Sequence, residues 1–283
     1  MPPRSDLLFK TIFGDARNSD LLVGFLRSVL DLPEADWTSL ALPDTHTLSD
    51  QADDKTSVLD VKVTTATGKV VDIEVQLCPT RDLAQRLVYY TSAMVTSQMV
   101  RGASYDSINK VICMVVTDFA MLDDPYRHHR FVHHDPDRRL TLTDLTAIHV
   151  LELPKLSAAD DGTVEWQWLR FVAARTPEEM TMAATDNPQI ARAATLVRYY
   201  NADEQFRYEL EAHERFLHDQ ASRQRTAHLD GFDQGHAEGI EEGEQRRAAS
   251  IAHSALGMGM PVEQVSTLTG LSATEVTQLL HEP

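Results

Sequence analysis

The chain has 283 residues, 42% hydrophobic and 24% charged, which suits a soluble globular protein with one sizeable core and an appendage, or two modest domains. Its net charge of −17, from 26 Lys and Arg against 43 Asp and Glu, counts against a passive coat on nucleic acid, because phosphate contacts need a basic surface. No apolar run reaches the roughly 20 residues that span a bilayer, and the opening MPPRSDLLFK lacks a signal stretch. A cytoplasmic protein with no membrane partner is therefore expected.

Cys78 and Cys113 are the only cysteines and form no metal-type pair, so both are expected to be buried thiols in a reducing compartment. The acid is uneven. Residues 201–283 carry 6 basic and 15 acidic side chains, a net of −9, so contact with a polyanion is expected from the earlier part of the chain.

Residues 6–30 carry apolar Leu21, Leu22, Phe25, Leu26, Val29 and Leu30 at helical spacing, with Gly14 and Asn18 marking a break between two helices. Residues 44–78 change period. THTLSD, TSVLDVKVTT and KVVDIEVQLC read as three strands, the last two joined by a hairpin turn at Thr67-Gly68. Residues 81–101 return to helical spacing, with Leu83, Leu87, Tyr90, Met94 and Val95 on one face and Gly102 as the expected C-cap.

NKVICMVVT at 109–117 suits a strand buried on both faces. Two more strands are expected at 127–134 and 146–153, then an irregular SAADDGT and helices from Trp166 to about Arg225, with Trp166 and Trp168 in helix packing. Beyond these, Gly231, Gly235, Gly239 and Gly243 recur every four residues among acids, and 247–256 and 261–282 look like short helices split by Gly257-Met258-Gly259. The glycine-spaced stretch is either a linker or a surface of self-association that makes the chain a homo-oligomer through its tail.

The chemistry sits between Ser57 and Gln76. Asp60 lies in the second strand, and Glu74 and Gln76 lie two apart on the third, so they face one side of the sheet. The hairpin near Gly68 lets Asp60 and Glu74 converge. Two converging carboxylates suit a hard divalent cation, which can activate water and stabilise charge on a phosphate. Strand-edge or solvent-facing acids are the plainer alternative. The segment His128-His129 through His133-His134 lacks the paired spacing of structural zinc. A partly exposed strand is expected there, with His128 and His134 on one face and His129 and His133 on the other.

An acid on one strand followed by an acid-x-Lys element on the next resembles the PD-(D/E)xK nucleases, and the helix–three strands–helix–strand order resembles their core. More narrowly, the chain resembles the Rpn family of recombination-promoting nucleases and transposase-like proteins. The matching elements are Asp6-Leu-Leu-Phe-Lys10 through Gly14, Leu59-Asp60-Val-Lys62-Val63, Gly68 through Ile73-Glu74-Val75-Gln76, Arg86 with Tyr89-Tyr90, Gly102, Tyr105 and Leu153-Pro154-Lys155. The glycine-spaced acidic tail also fits.

This resemblance implies an α/β fold, a mixed central sheet flanked by helices, with an α-helical C-terminal extension. It divides the chain into a nuclease-like domain at 1–155, a helical extension at 156–230 and a tail at 231–283. It implies a DNA endonuclease whose catalytic residues are Asp60, Glu74 and Gln76. Mg²⁺, with Mn²⁺ as its substitute, would be held by Asp60, Glu74, the Val75 carbonyl and Asp6. Asp6, in a first helical turn, is equally placed as a cap. Lys10, Arg81 and Arg86 are candidate phosphate contacts or simply solvated cations. Gln76 stands where lysine is usual in the wider superfamily. It cannot lend positive charge, so more of the stabilisation would fall to the metal. Recombination or phage defence is the implied setting. The rival readings are a catalytically inactive binding or regulatory module on the same fold, and an RNA-directed nuclease.

Overall fold

The structure, a computed structural model, describes residues 1–42 and 61–279. The chain divides into two compact units, residues 1–211 and 212–283.

The first unit opens with helices α1 (Asp6–Phe13) and α2 (Ser19–Val29). The expected break lies between them, as a 3₁₀ turn at Ala16–Asn18, with Asn18 Nδ2 donating to the Ile12 carbonyl at 3.1 Å. The periodic residues Leu21, Leu22, Phe25, Leu26 and Val29 are all buried. A short strand β1 (Leu40–Ala41) follows, which the sequence pattern had not suggested. The expected THTLSD strand and residues 56–60, Asp60 among them, lie outside the described residues.

Strands β2 (Val61–Thr65) and β3 (Val70–Gln76) form the expected hairpin, with Gly68 at φ +88° in its turn. Only glycine adopts that conformation without strain. Helix α3 (Leu83–Ser97) buries Leu83, Leu87, Tyr90, Thr91 and Met94. Its cap is Gln98; Gly102, at φ +89°, serves a separate turn further on, because the helix stops four residues earlier than the pattern suggests. Strand β4 (Val111–Thr117) is buried at every position, and β5 (His128–Asp135) pairs with β6 (Leu140–Glu152). Register shifts between Phe131 and His133, and again between His133 and His134, break the simple alternation expected of the histidines.

The strand order is β1-β2-β3-β4-β6-β5. β3, β4 and β6 run parallel, and the other pairings are antiparallel, giving a mixed sheet. One face carries Val71, Ile73, Val75, Ile112, Met114 and Val116 into the main core with Leu8, Phe9 and Phe25. Helices α4 (Val164–Ala173), α5 (Pro177–Ala183) and α6 (Pro188–Ala202) contribute to the same core. Trp168 seats its ring 6.0 Å from that of Phe13 and 5.9 Å from that of Phe25. The opposite face carries Val70, Cys113, Val115 and Val150 against Leu83, Leu87 and Met94 of α3. Cys113 is buried as expected. Cys78 is exposed, because it lies two residues past the end of β3, outside the packed strand.

Helix α7 (Glu204–Gly257) runs from the first unit into the second. The glycine-spaced stretch is part of this helix, and a Cβ added at Gly231, Gly235, Gly239 or Gly243 would meet nothing within 4 Å. Residues 261–282, expected as one helix, hold two: α8 (Val262–Thr269) and α9 (Ala273–Leu279). The left-handed Gly270, at φ +79°, stops α8 by returning its N–H to Ser266. Ser272 and Glu275 form a reciprocal capping box at the start of α9. Ala252, Ala255, Val265 and Val276 form the small core of this unit.

Candidate active site

Strand alternation places Asp72, Glu74 and Gln76 of β3 on the face that looks toward α3. Asp72 and Glu74 are 0% and 2% exposed, whereas Gln76, at the carboxyl end of the strand, is half-buried. Two buried acids side by side on one strand are costly unless cations or hydrogen bonds meet them. Three basic residues do approach.

Arg86 of α3 places Nη2 3.6 Å from Glu74 Oε1. Its own Nε donates to the Tyr90 hydroxyl at 2.9 Å, and its guanidinium sits 5.6 Å from the Tyr90 ring centre. Lys62 is the Cα partner of Asp72 across the β2–β3 hairpin, so both side chains leave the same face. Lys62 and Lys10 of α1 both act electrostatically on the Asp72 carboxyl. They do not offset its surroundings: burial first, and the neighbouring Glu74 second, push Asp72 up to about 7. The Cys113 thiol is pushed up as well, by burial and then by these two acids. It therefore remains a thiol and donates to Asp72 Oδ2 at 3.8 Å. Asp72 Oδ1 is buried and accepts no hydrogen bond among the described residues.

Of the residues singled out from sequence, Glu74, Val75 and Gln76 lie consecutively on β3, with Lys10 and Arg86 brought to the same group of charges. Arg81 is exposed in the turn before α3. Asp6 opens α1, and its side-chain contacts lie outside what the structure describes; Asp60 lies outside the described residues altogether. Among the described residues no group of three or more His, Cys, Asp or Glu side chains is arranged to hold a metal ion. Asp72 is absent from the sequence-based candidates, and Lys62 enters them only as part of a matching element, without a site role. The alternation that pairs Glu74 with Gln76 extends to Asp72, the signal that places all three on one face.

A mixed sheet whose third strand carries a buried acid two residues before a half-buried Gln, with cations from α1, β2 and α3 acting on the strand's acids, defines a PD-(D/E)xK nuclease fold. The profile of the PD-(D/E)XK nuclease family transposases matches residues 3–227, and the chain belongs to that family. A second profile, the C-terminal HTH domain of the Rpn/YhgA-like nuclease family, matches residues 245–281. That match covers the end of α7 with α8 and α9, a helix-turn-helix where the pattern of glycines and acids suggests only short helices. No curated protein and no solved structure matches the chain significantly. No helix among the described residues is long and apolar enough to cross a membrane.

Proposed function

We propose that this protein is a divalent-cation-dependent DNA endonuclease, with Asp60, Glu74 and Gln76 as its catalytic residues. The observation that carries the reading is Glu74, a carboxylate 2% exposed on a strand it shares with Gln76, with Arg86 Nη2 3.6 Å from its Oε1. The orphaned Asp72 Oδ1 beside it fits a missing positive partner. Asp60 immediately precedes Val61 in the chain, and Val61 is the Cα partner of Ile73, the residue before Glu74.

Asp60, Glu74, the Val75 carbonyl and Asp6 would hold Mg²⁺ or Mn²⁺; the ion supplies Lewis-acid stabilisation of the phosphate and an acidified water. Gln76 orients that water through its amide. Lys10, Arg81 and Arg86 draw in the DNA phosphates, and Arg86 is positioned by Tyr90. Within the family, the setting would be recombination or phage defence in the cytoplasm. The nuclease-like part would be residues 1–155, followed by a helical extension to 230 and a tail from 231 that brings copies together.

A second reading, a nuclease fold that binds without cutting, draws on the Arg86–Glu74 ion pair, which already places a cation on the acid. The deciding experiment incubates purified protein with supercoiled DNA and Mg²⁺, Mn²⁺ or Ca²⁺. Nicking or linearisation with Mg²⁺ or Mn²⁺ that is abolished by Asp60→Ala and by Glu74→Ala supports the endonuclease. Cleavage at undiminished rate in both variants, or none in the wild type with any ion, removes it.

A further inference from the structure

Asp72 is given no catalytic or ligand role in the reading above, yet it is the most deeply confined acid of the site. Its carboxyl is 0% exposed and sits on the same strand face as Glu74. One oxygen, Oδ2, is held by the Cys113 thiol at 3.8 Å, a long and weak contact. The other, Oδ1, accepts no hydrogen bond among the described residues. Glu74 is the strongest charge acting on it, so the two carboxyls are electrostatic neighbours and not merely neighbours in sequence.

A buried carboxylate oxygen with no donor, as at Asp72 Oδ1, is destabilising, and two buried carboxylates on one strand face repel. An acid kept only for packing would be better replaced by an amide or a hydroxyl. A small hard cation between the two acids removes both penalties at once.

We propose that Asp72 is a further metal ligand, acting with Glu74 on one divalent cation. This rests on the endonuclease reading and adds a ligand to it. Residues two apart on a strand are separated by roughly 6.6 Å along the chain, which the two side chains can close around an ion bound at about 2.0–2.6 Å. Because both carboxyls are buried, the ion must shed most of its water. Mg²⁺ dehydrates reluctantly, so Mn²⁺ is the favoured occupant and the suitable probe.

The test uses full-length, chelator-treated protein without DNA, titrated with Mn²⁺ by calorimetry, with thermal melting recorded for each variant before and after metal. Asp72→Asn is expected to weaken Mn²⁺ binding tenfold or more while the metal-free variant melts no lower than the wild type, since the amide removes the buried repulsion. Asp72→Glu, which keeps the charge, is expected to retain more of the affinity than Asp72→Asn and so guards against a folding artefact. Glu74→Gln should lose binding altogether. If Asp72→Asn binds Mn²⁺ within twofold of the wild type while Glu74→Gln does not bind, the Asp72 assignment is overturned and the endonuclease reading stands. If the wild type itself binds no Mn²⁺, both fall.

Discussion

His128 Nε2 lies 2.9 Å from His149 Nδ1, and His128 Nδ1 lies 2.7 Å from Glu165 Oε2. The chain of three leads from α4 to the buried His149 on β6. Burial first, then the neighbouring His128, Arg130 and Lys110, hold His149 down at about 3. The unfolded chain takes up this proton near the ordinary value of 6.5. Stability from this group is therefore whole above that pH and is lost as pH falls from there toward 3, by up to about 5 kcal/mol. His149→Gln should flatten the decline. Urea midpoints of wild type and variant at pH 7 and pH 4.5 measure it, and equal declines in both would assign the acid sensitivity to other groups.

Glu152 closes the carboxyl end of β6 in a different way. Its Oε1 accepts the N–H groups of Met121 at 2.5 Å and Leu122 at 3.0 Å, and its Oε2 accepts from Lys155 Nζ at 2.7 Å, all with the residue 0% exposed. Glu152→Ala would strand two amides and weaken the anchoring of an ammonium. The cost should be about 3–5 kcal/mol, as for a broken buried ion pair. Denaturant unfolding reads it directly, and a loss below about 1 kcal/mol would mean that water replaces the carboxylate.

Gln76 stands in register with Thr117 of β4, which stands in register with Glu152 of β6. If its amide orients the attacking water, Gln76→Ala should slow DNA cleavage by roughly a hundredfold or more. Gln76→Lys should keep measurable activity. An unchanged rate in the alanine variant would make Gln76 a bystander.

The strands nearest the site were legible because their signals are local: the Thr67-Gly68 turn, the alternation through Glu74 and Gln76, and the unbroken apolar run of β4. What escaped depends on contacts distant in sequence. Trp168 packs against Phe13 and Phe25, about 150 residues away in the chain, and no periodicity announces that. Asp72 escaped because a single acid within an apolar run resembles noise until the face it shares with Glu74 and Lys62 is seen. The turn between α8 and α9 escapes the pattern because a glycine within a helical run does not reveal the left-handed backbone that Gly270 adopts, at φ +79°.

The glycines of α7 give a prediction that separates helix stability from association. Open space surrounds the Cβ position of Gly231, Gly235, Gly239 and Gly243, so alanine fits at each without a clash. Each replacement should stabilise the helix by about 1 kcal/mol. The fourfold alanine variant should therefore gain helical signal and melt higher by circular dichroism. If copies of the chain pack through this stripe, the same variant should also lose oligomer mass by light scattering. A helix that gains nothing from alanine would show that its glycines are held in contacts of another kind.

The helix-turn-helix has one property that bears on how the protein meets DNA. After Arg247 the chain contains no Lys or Arg, while Glu263, Glu275 and Glu282 remain. Salt-sensitive affinity for a duplex arises from counterions expelled as protein cations replace them along the phosphates. The segment formed by α8 and α9 has no cations with which to expel any. The slope of log affinity against log salt for the whole protein should therefore be set upstream, and truncation after Arg247 should leave that slope unchanged. Any sequence preference contributed by α8 and α9 would have to come from neutral or acidic side chains reading base edges, a contribution that does not depend on expelling counterions.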